Sequence, residues 1–250
     1  MKPPPFEYHA PTSVEEACSL LASLEDAKVL AGGQSLIPLL NFRLARPQHL
    51  VDINHVTGLD RISEKDGGVA VQALVRQSAV EDSELVARVC PLLRDAVRLV
   101  AHRVIRNRGT VCGSIAHADP ASELPAVLLA LGGSVTAVSV KGKRVIHSQE
   151  LFKGVFETSL RPEELLTEAW FPASPQPFAI HEESRRHGDF ALAGAVRAGD
   201  RLALFGVAPT PVLAERRDPT QGLEPSADLE ATPDFRLHLV RVLTERVFAA

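Results

Sequence analysis

The sequence predicts an α+β fold, and three observations predict it. Apolar residues at helical spacing follow helix-start signals at Ser13 and at Thr232-Pro233. Short apolar runs flank turn sequences such as Asp66-Gly67-Gly68, as they do in β-hairpins. After about residue 160, four apolar runs in succession predict a further antiparallel sheet.

The composition is that of an ordinary globular protein. The chain has 250 residues, of which 45% are apolar and 23% charged, so it is long enough for one or two domains with a sizeable core. Its 27 Lys and Arg against 31 Asp and Glu give a net charge of −4, which lacks the positive excess of a general nucleic-acid binder. Without a secretory leader or an apolar run of about 18 residues, we expect a cytoplasmic protein with no membrane insertion.

The first 55 residues predict a small α+β unit. A capping box at Ser13 begins a helix, and Lys28–Ala31 predicts a strand that enters a tight turn at Gly32-Gly33. Ser35–Arg43 predicts a short helix, and His49–Ile53 predicts another strand.

The rest of the chain alternates hairpins, helices and polar connections. The predicted elements are a hairpin of Arg61–Ser63 with Val69–Ala73, one helix from Pro91 to near Arg106, a stretch of small residues over 109–123, a helix over Leu124–Leu131, a hairpin of Val135–Val140 with Arg144–His147, strands at Leu165–Phe171, Phe178–Glu182, Ala191–Arg197 and Leu202–Val207, a loop over 215–232 and a last helix from Thr232.

Two glycine-containing segments, Ala31–Ser35 and Thr110–Ser114, are candidates for binding a phosphate group. Each offers backbone N–H groups unshielded by bulky side chains and adds a hydroxyl, and the first opens a predicted helix. Such a pair can hold a pyrophosphate from two sides. Taken alone, each is better explained as a tight turn, because short glycine motifs recur often by chance.

No other short motif predicts chemistry in this chain. Neither G-x-G-x-x-G nor G-x-x-x-x-G-K-[ST] is present, and no nucleophile motif is found. His117 and Asp119 form either a weak metal or acid–base pair or a set of turn hydrogen bonds. Cys112 is either a reactive thiol or a packed small residue. We expect no catalytic residue and no metal ligand.

Several segments taken together carry a family resemblance. Ala31-Gly32-Gly33-Gln34-Ser35-Leu36 and the stretch from Thr110 to Pro120 resemble the flavin-binding signatures of molybdenum hydroxylases, in particular the FAD-binding medium subunit of enzymes like carbon monoxide, aldehyde or xanthine dehydrogenase. The further segments that agree are Phe6-Glu7-Tyr8, Arg108-Gly109, Arg161–Leu166, Gly188–Leu192 and Gly206–Pro211.

The resemblance implies a fold of the vanillyl-alcohol-oxidase or PCMH type. FAD would lie between two α+β subdomains, residues 1–55 and 56–173. A small C-terminal domain, residues 174–250, would follow, with a three-stranded antiparallel sheet and helices. The region after Pro211 is short for the family, which implies that the helical part of this domain is reduced.

The resemblance also implies a set of cofactor-binding residues. Two segments would meet the pyrophosphate, Glu123 would bind the ribose and Leu166 would lie near the adenine. Val100 and Phe190 would lie near the isoalloxazine, and His181 stands where some relatives carry lysine. The full set is Val29, Leu30, Ala31, Gly32, Gly33, Gln34, Ser35, Val100, Thr110, Gly113, Ser114, Ala118, Glu123, Leu166, His181 and Phe190.

The function that the resemblance implies is electron transfer within an oxidoreductase. A large molybdenum–pterin subunit would oxidise the substrate, a small subunit would carry 2Fe-2S clusters, and FAD on this chain would pass electrons to an external acceptor. The alternatives are a stand-alone FAD-dependent oxidoreductase and a flavin-free scaffold subunit. The scaffold is suggested by Cys112, which replaces a glycine common in the family, while Phe190 lacks the phenolic hydroxyl that relatives often carry.

Overall fold

The chain folds into three sheets and a small hairpin, connected by ten α-helices. The computed structural model describes residues 1–250. The strands are β1 Glu7–His9, β2 Ala27–Leu30, β3 His49–Asp52, β4 Ile62–Lys65, β5 Gly68–Gln72, β6 Ser134–Ser139, β7 Gly142–His147, β8 Phe152–Gly154, β9 Glu157–Thr158, β10 Leu165–Pro172, β11 Phe178–Glu183, β12 Ala193–Ala198, β13 Arg201–Phe205 and β14 Val212–Ala214. The helices are α1 Val14–Ser23, α2 Leu36–Asn41, α3 Gln77–Asp82, α4 Glu84–Val89, α5 Pro91–Leu99, α6 Arg103–Arg106, α7 Val111–His117, α8 Glu123–Leu131, α9 Ser148–Leu151 and α10 Pro233–Ala249.

The first sheet is parallel and has the order β1-β3-β2. Helix α1 connects β1 to β2, and α2 connects β2 to β3, so the carboxyl ends of all three strands lie at one edge. The predicted capping box is confirmed, because the Ser13 hydroxyl accepts the Glu16 N–H at 3.1 Å. This edge positions the candidate site.

The second sheet is antiparallel, with the order β4-β5-β10-β6-β7. Both predicted hairpins are confirmed, and β10 pairs with one strand of each. Strand β10 therefore joins the hairpins into one sheet. The buried side chains of this sheet share one apolar core with α1 and α8.

The C-terminal sheet contains four strands, in the order β11-β12-β13-β14. The prediction of three strands is wrong, because the sheet has a fourth strand, β14. Its three residues are too few to show an alternating pattern in the sequence. The helix predicted from Thr232 is confirmed as α10, and it is the single helix that follows the loop. The buried guanidinium of Arg236 donates to the Leu192 and Gly206 carbonyls and to Asp228, which fixes α10 on the sheet.

The helix predicted from Pro91 to Arg106 is broken in the structure. Helix α5 ends at Leu99, Ala101 has φ +44°, and α6 follows. The buried Arg106 side chain donates to the Val100 carbonyl at 2.8 Å and pairs with Glu81 at 3.0 Å. It satisfies carbonyls that the end of a helix leaves without partners, which stabilises the break.

The stretch of small residues over 109–123 contains helix α7, which the sequence did not predict. The Thr110 hydroxyl accepts the Gly113 N–H at 3.0 Å and caps the helix, which ends at the left-handed Ala118. Gly113 weighs against a helix by propensity, and tertiary contacts override it. None of the helices has the length and apolar character needed to cross a membrane.

Candidate functional site

A cleft of about 350 Å³ lies at the carboxyl edge of the parallel sheet, between β2, β3 and the start of α2. Ligands of parallel sheets commonly bind outside this edge. The residues lining the cleft are Leu30, Ala31, Gly32, Gly33, Gln34, Ile37, Pro38, Asp52, Asn54 and Arg108. Five of these residues, Leu30 to Gln34, belong to the predicted cofactor-binding set, and Arg108 precedes the second glycine segment.

The loop after β2 presents free hydrogen-bond donors. The backbone N–H groups of residues 32–35 have no acceptor within the chain. Gly33 has φ +72°, a conformation that L side chains rarely adopt, and this turn carries the chain from the strand into α2. Four unpaired donors on a short loop form a cradle suited to an anion.

The two glycine segments adjoin in space. A Cβ on Gly32 would lie 2.8 Å from the Gly109 Cα and would overlap the Arg108 carbonyl oxygen. Gly109 in turn accepts the Gln77 N–H at 2.9 Å, and α7 begins two residues later. Main chain therefore packs on main chain at this point. The contact is made by residues 108–109, just before the second segment, and none of Thr110–Ser114 lines the cleft, so the convergence of the two segments on one cleft stays a prediction.

A network of hydrogen-bonded polar side chains lies beneath the cleft and supports it. Tyr8 donates its hydroxyl to Asp52 Oδ2 at 2.7 Å, and the Asn54 amide donates to Asp52 Oδ1 at 2.6 Å and to the Ala31 carbonyl at 2.8 Å. Arg76 then donates to Asn54 Oδ1 at 2.6 Å and to the Arg108 carbonyl at 2.8 Å. The network joins the first sheet to the segment that leads into α7.

The electrostatics of the cleft favour an anion. Neither Arg76 nor Arg108 forms a salt bridge with a carboxylate. Burial and the neighbouring Arg108 charge lower the pKa of Arg76. Burial alone would raise the pKa of Asp52, but hydrogen bonds from Asn54 and Tyr8 lower it, so this carboxylate is already satisfied. Arg108, which lines the cleft, thus remains available to a negatively charged ligand, while the terminal nitrogens of Arg76 are engaged by Asn54 and by the Arg108 carbonyl.

The remaining predicted residues lie around this cleft or apart from it. Val29 is on β2, Ser35 precedes α2, and Thr110, Gly113, Ser114 and Ala118 belong to α7 or cap it. None of these six residues lines the cleft, and neither does any of Val100, Glu123, Leu166, His181 and Phe190. Gly188 packs against the His102 ring, which brings the chain near Phe190 close to the break after Val100.

Cys112 packs into the core. Its fully buried thiol donates to the Val71 carbonyl at 3.4 Å, and burial raises its pKa. The side chain at this position, where the family resemblance implies a glycine, is therefore held in the interior. The reactive-thiol interpretation has no support, since a buried protonated thiol is inert.

Glu123 and Glu182 form a buried acidic pair. Burial, with a smaller contribution from Glu182, raises the pKa of Glu123 to about 8. Burial also raises the pKa of Glu182 to about 7, and its Oε2 has no hydrogen-bond partner. The family resemblance pointed to Glu123 but not to Glu182. The strand that contains Glu182 shows only an alternation of residue types, which does not mark one glutamate as special.

His117 and Asp119 do not form a pair. The His117 ring stacks on Phe156 with centroids 4.9 Å apart, and burial lowers its pKa. Asp119 accepts the Ala121 N–H at 2.9 Å, so it makes the turn hydrogen bond that was the alternative interpretation.

Sequence analysis missed Tyr8, Asp52, Asn54 and Arg76 as members of the site. Asp52 is the last residue of β3 and Asn54 follows it, and this position at the carboxyl end of a parallel strand was the available signal. Arg76 carries no local signal, because its partners lie 22 and 32 residues away in the chain.

Comparison with known families gives the class of the protein. A family model described as the FAD binding domain in molybdopterin dehydrogenase matches residues 4–174. The chain belongs to this family: it is an FAD-binding medium subunit of the molybdenum hydroxylase type, and thus a subunit of an oxidoreductase. The match supports this function over a stand-alone flavoenzyme or a flavin-free scaffold.

Two named relatives support the same family assignment. The chain is 40% identical to the 6-hydroxypseudooxynicotine dehydrogenase complex subunit alpha of Paenarthrobacter nicotinovorans, over 100% of this chain and 95% of that protein. It is 38% identical to the carbon monoxide dehydrogenase medium chain of Hydrogenophaga pseudoflava, over 86% and 79%.

Solved structures confirm a mixed α and β fold of this class. A carbon monoxide dehydrogenase structure from Hydrogenophaga pseudoflava matches with a TM-score of 0.95 and 34% identity, over 100% of this chain and 98% of that chain. Quinoline 2-oxidoreductase from Pseudomonas putida 86 matches with a TM-score of 0.94 and 35% identity, over 100% and 97%.

The buried acidic pair predicts a pH-dependent stability for the flavin-free chain. The pKa of Glu123 is raised in the folded state, so its contribution to stability is fully present below about pH 4.5 and is lost as the pH rises toward 8. We expect Glu123→Gln to reduce the fall in the free energy of unfolding between pH 5 and 8 by on the order of 2 kcal/mol. Urea unfolding at several pH values measures this.

The exposed Glu150 provides the matched control. Glu150→Gln should leave the pH profile of the wild type unchanged. A Glu123→Gln profile as steep as that of Glu150→Gln would contradict the assignment.

Proposed function

We propose that the cleft between residues 31–35 and Arg108 binds the diphosphate of FAD. The observation that carries this proposal is the cradle of unpaired N–H groups at residues 32–35, placed beside Arg108, which lines the same cleft. Phosphate oxygens accept hydrogen bonds from such donors, and arginine pairs with them at close range.

The residues present fit the cofactor. The cradle exists because Gly32 and Gly33 have no side chains: a Cβ on Gly33 would lie 3.1 Å from Ile37 Cγ1, and one on Gly32 would overlap the Arg108 carbonyl. In this proposal Ser114, in the first turn of α7, would add its hydroxyl from the second segment. The core position of the Cys112 side chain keeps the approach to that helix free of its bulk.

The rest of the assignment extends from this anchor. Glu123 would bind the ribose, Leu166 would pack near the adenine, and Val100 and Phe190 would border the isoalloxazine, with His181 nearby. Gly188 packs on the His102 ring, and this contact supports a common position for Val100 and Phe190 beside the isoalloxazine.

The order of the sheets supports a division of the chain into residues 1–55, 56–173 and 174–250. Strand β10 ends at Pro172, and β11, which belongs to another sheet, begins at Phe178.

The function that we propose is electron transfer between partner subunits and an external acceptor. Bound FAD supplies the reversible redox chemistry, and the chain supplies position and electrostatics. The partners are a large molybdenum–pterin subunit, where the substrate is oxidised, and a small subunit with 2Fe-2S clusters. The names of relatives cite carbon monoxide, caffeine and nicotine, which differ chemically, so the task shared by these subunits does not depend on one substrate.

Gly33→Asp tests the cradle. An aspartate at φ +72° is strained and places a negative charge where phosphate binds, so we expect FAD affinity to fall by about tenfold to a hundredfold. Flavin absorbance per folded chain after purification measures it. Gly67→Asp is the matched control, because Gly67 has φ +70° and no atom lies within 4 Å of its added Cβ. Equal flavin content in the two folded variants would contradict the cradle.

Native purification tests the assembly. We expect the chain to elute with a large subunit that contains molybdenum and pterin and a small subunit that contains iron and sulfide, identified by mass spectrometry and metal analysis. Elution as a single FAD-containing chain would instead support a stand-alone flavoenzyme, and elution with partners but without flavin would support a scaffold.

A further inference from the structure

Two histidines and a glutamate face one another on the first sheet, away from the flavin cleft. Glu7 and His9 are two residues apart on β1, so they point to the same face. His49, on β3, is the register partner of Glu7. The parallel pairing of the two strands therefore brings all three side chains to one face.

The ligand atoms of these residues have the spacing of a metal site. His9 Nε2 lies 3.2 Å from His49 Nδ1, which lies 3.4 Å from Glu7 Oε2, and all three atoms are within 4.8 Å of one another. In a tetrahedral zinc site with bonds of about 2.0–2.1 Å, neighbouring ligand atoms lie roughly 3.3 Å apart. Two edges of that tetrahedron are already formed. The third closes by rotation of Glu7, whose side chain is 75% exposed.

Hydrogen bonding alone serves this cluster poorly. If His49 carries its proton on Nδ1, that proton is shared between two acceptors, His9 Nε2 and Glu7 Oε2. If His9 carries the proton on Nε2, the Nδ1 lone pair of His49 faces a carboxylate oxygen. In both cases a single proton is shared among three nitrogen and oxygen atoms that lie close together. A bound cation would accept a lone pair from each of the three atoms.

We propose that Glu7, His9 and His49 bind a zinc ion. Two imidazoles and one carboxylate suit Zn²⁺, while Mg²⁺ and Ca²⁺ prefer oxygen ligands alone. A water molecule takes the fourth position on the solvent side. The sequence predicted no metal ligand because His49 lies 40 residues beyond His9, and this separation forms no short ligand motif.

The ion would join the N-terminal strand to the sheet beside the cleft. β1 is only three residues long, and its middle residue, Tyr8, donates to Asp52, which lines the cleft. Zinc bound by the residues on either side of Tyr8 would hold this strand in register with β3. It is a structural ion in this proposal, distinct from the flavin contacts.

Cobalt and zinc titrations of the untagged full-length chain, stripped with a chelator, test the site. We expect one Co²⁺ per chain with the visible absorption of a tetrahedral site, displaced by Zn²⁺. Zn²⁺ should also raise Tm and slow amide hydrogen exchange at Glu7–His9. His9→Gln and His49→Gln should weaken Zn²⁺ binding by about tenfold or more, because loss of a direct ligand costs at least as much as loss of a supporting contact.

Two further variants keep the result interpretable. Glu7→Ala changes an exposed side chain and should weaken binding even where His49→Gln folds poorly. His147→Gln removes an exposed histidine on another sheet and should bind Zn²⁺ like the wild type. Absence of saturable one-to-one binding by the wild type, or equal affinity in His9→Gln and His147→Gln, would overturn the proposal.

Discussion

The backbone of Gly32 lies directly against the backbone of Arg108 and Gly109, and this contact sets the distance between the first sheet and the segment that leads into α7. Any side chain at residue 32 would force the two segments apart, because the obstacle is main chain and not a flexible side chain. The close approach places the unpaired N–H groups of the β2–α2 loop and Arg108 beside the same cleft. The diphosphate position that we propose follows from this geometry.

The preference of the site for an anion depends on which of its charged side chains already have partners within the protein. Asp52 is satisfied by Tyr8 and Asn54, and Asn54 rather than a carboxylate receives Arg76. The network therefore links the two segments without neutralising the arginines. An anion is the ligand that completes this arrangement.

Local signals in the sequence predicted much of the fold, and long-range contacts account for the rest. Helix starts at Ser13 and Thr232 and the hairpins at residues 66–68 and 141–143 follow from capping and turn chemistry within a few residues. The break after α5 depends on Arg106 reaching back to Val100 and across to Glu81, which no local pattern reveals. The cradle was visible in its glycines, whereas its support by Arg76 depends on the tertiary structure.

Flavin affinity of Gly32→Ala tests the backbone contact most directly. Gly154→Ala is its control, since the Cβ there would first meet the flexible end of Glu157, at 3.2 Å. Overpacking against main chain costs roughly 1–3 kcal/mol, so the account predicts that folded Gly32→Ala binds FAD about tenfold or more weakly, while Gly154→Ala binds it like the wild type. Unchanged affinity in folded Gly32→Ala would contradict the account.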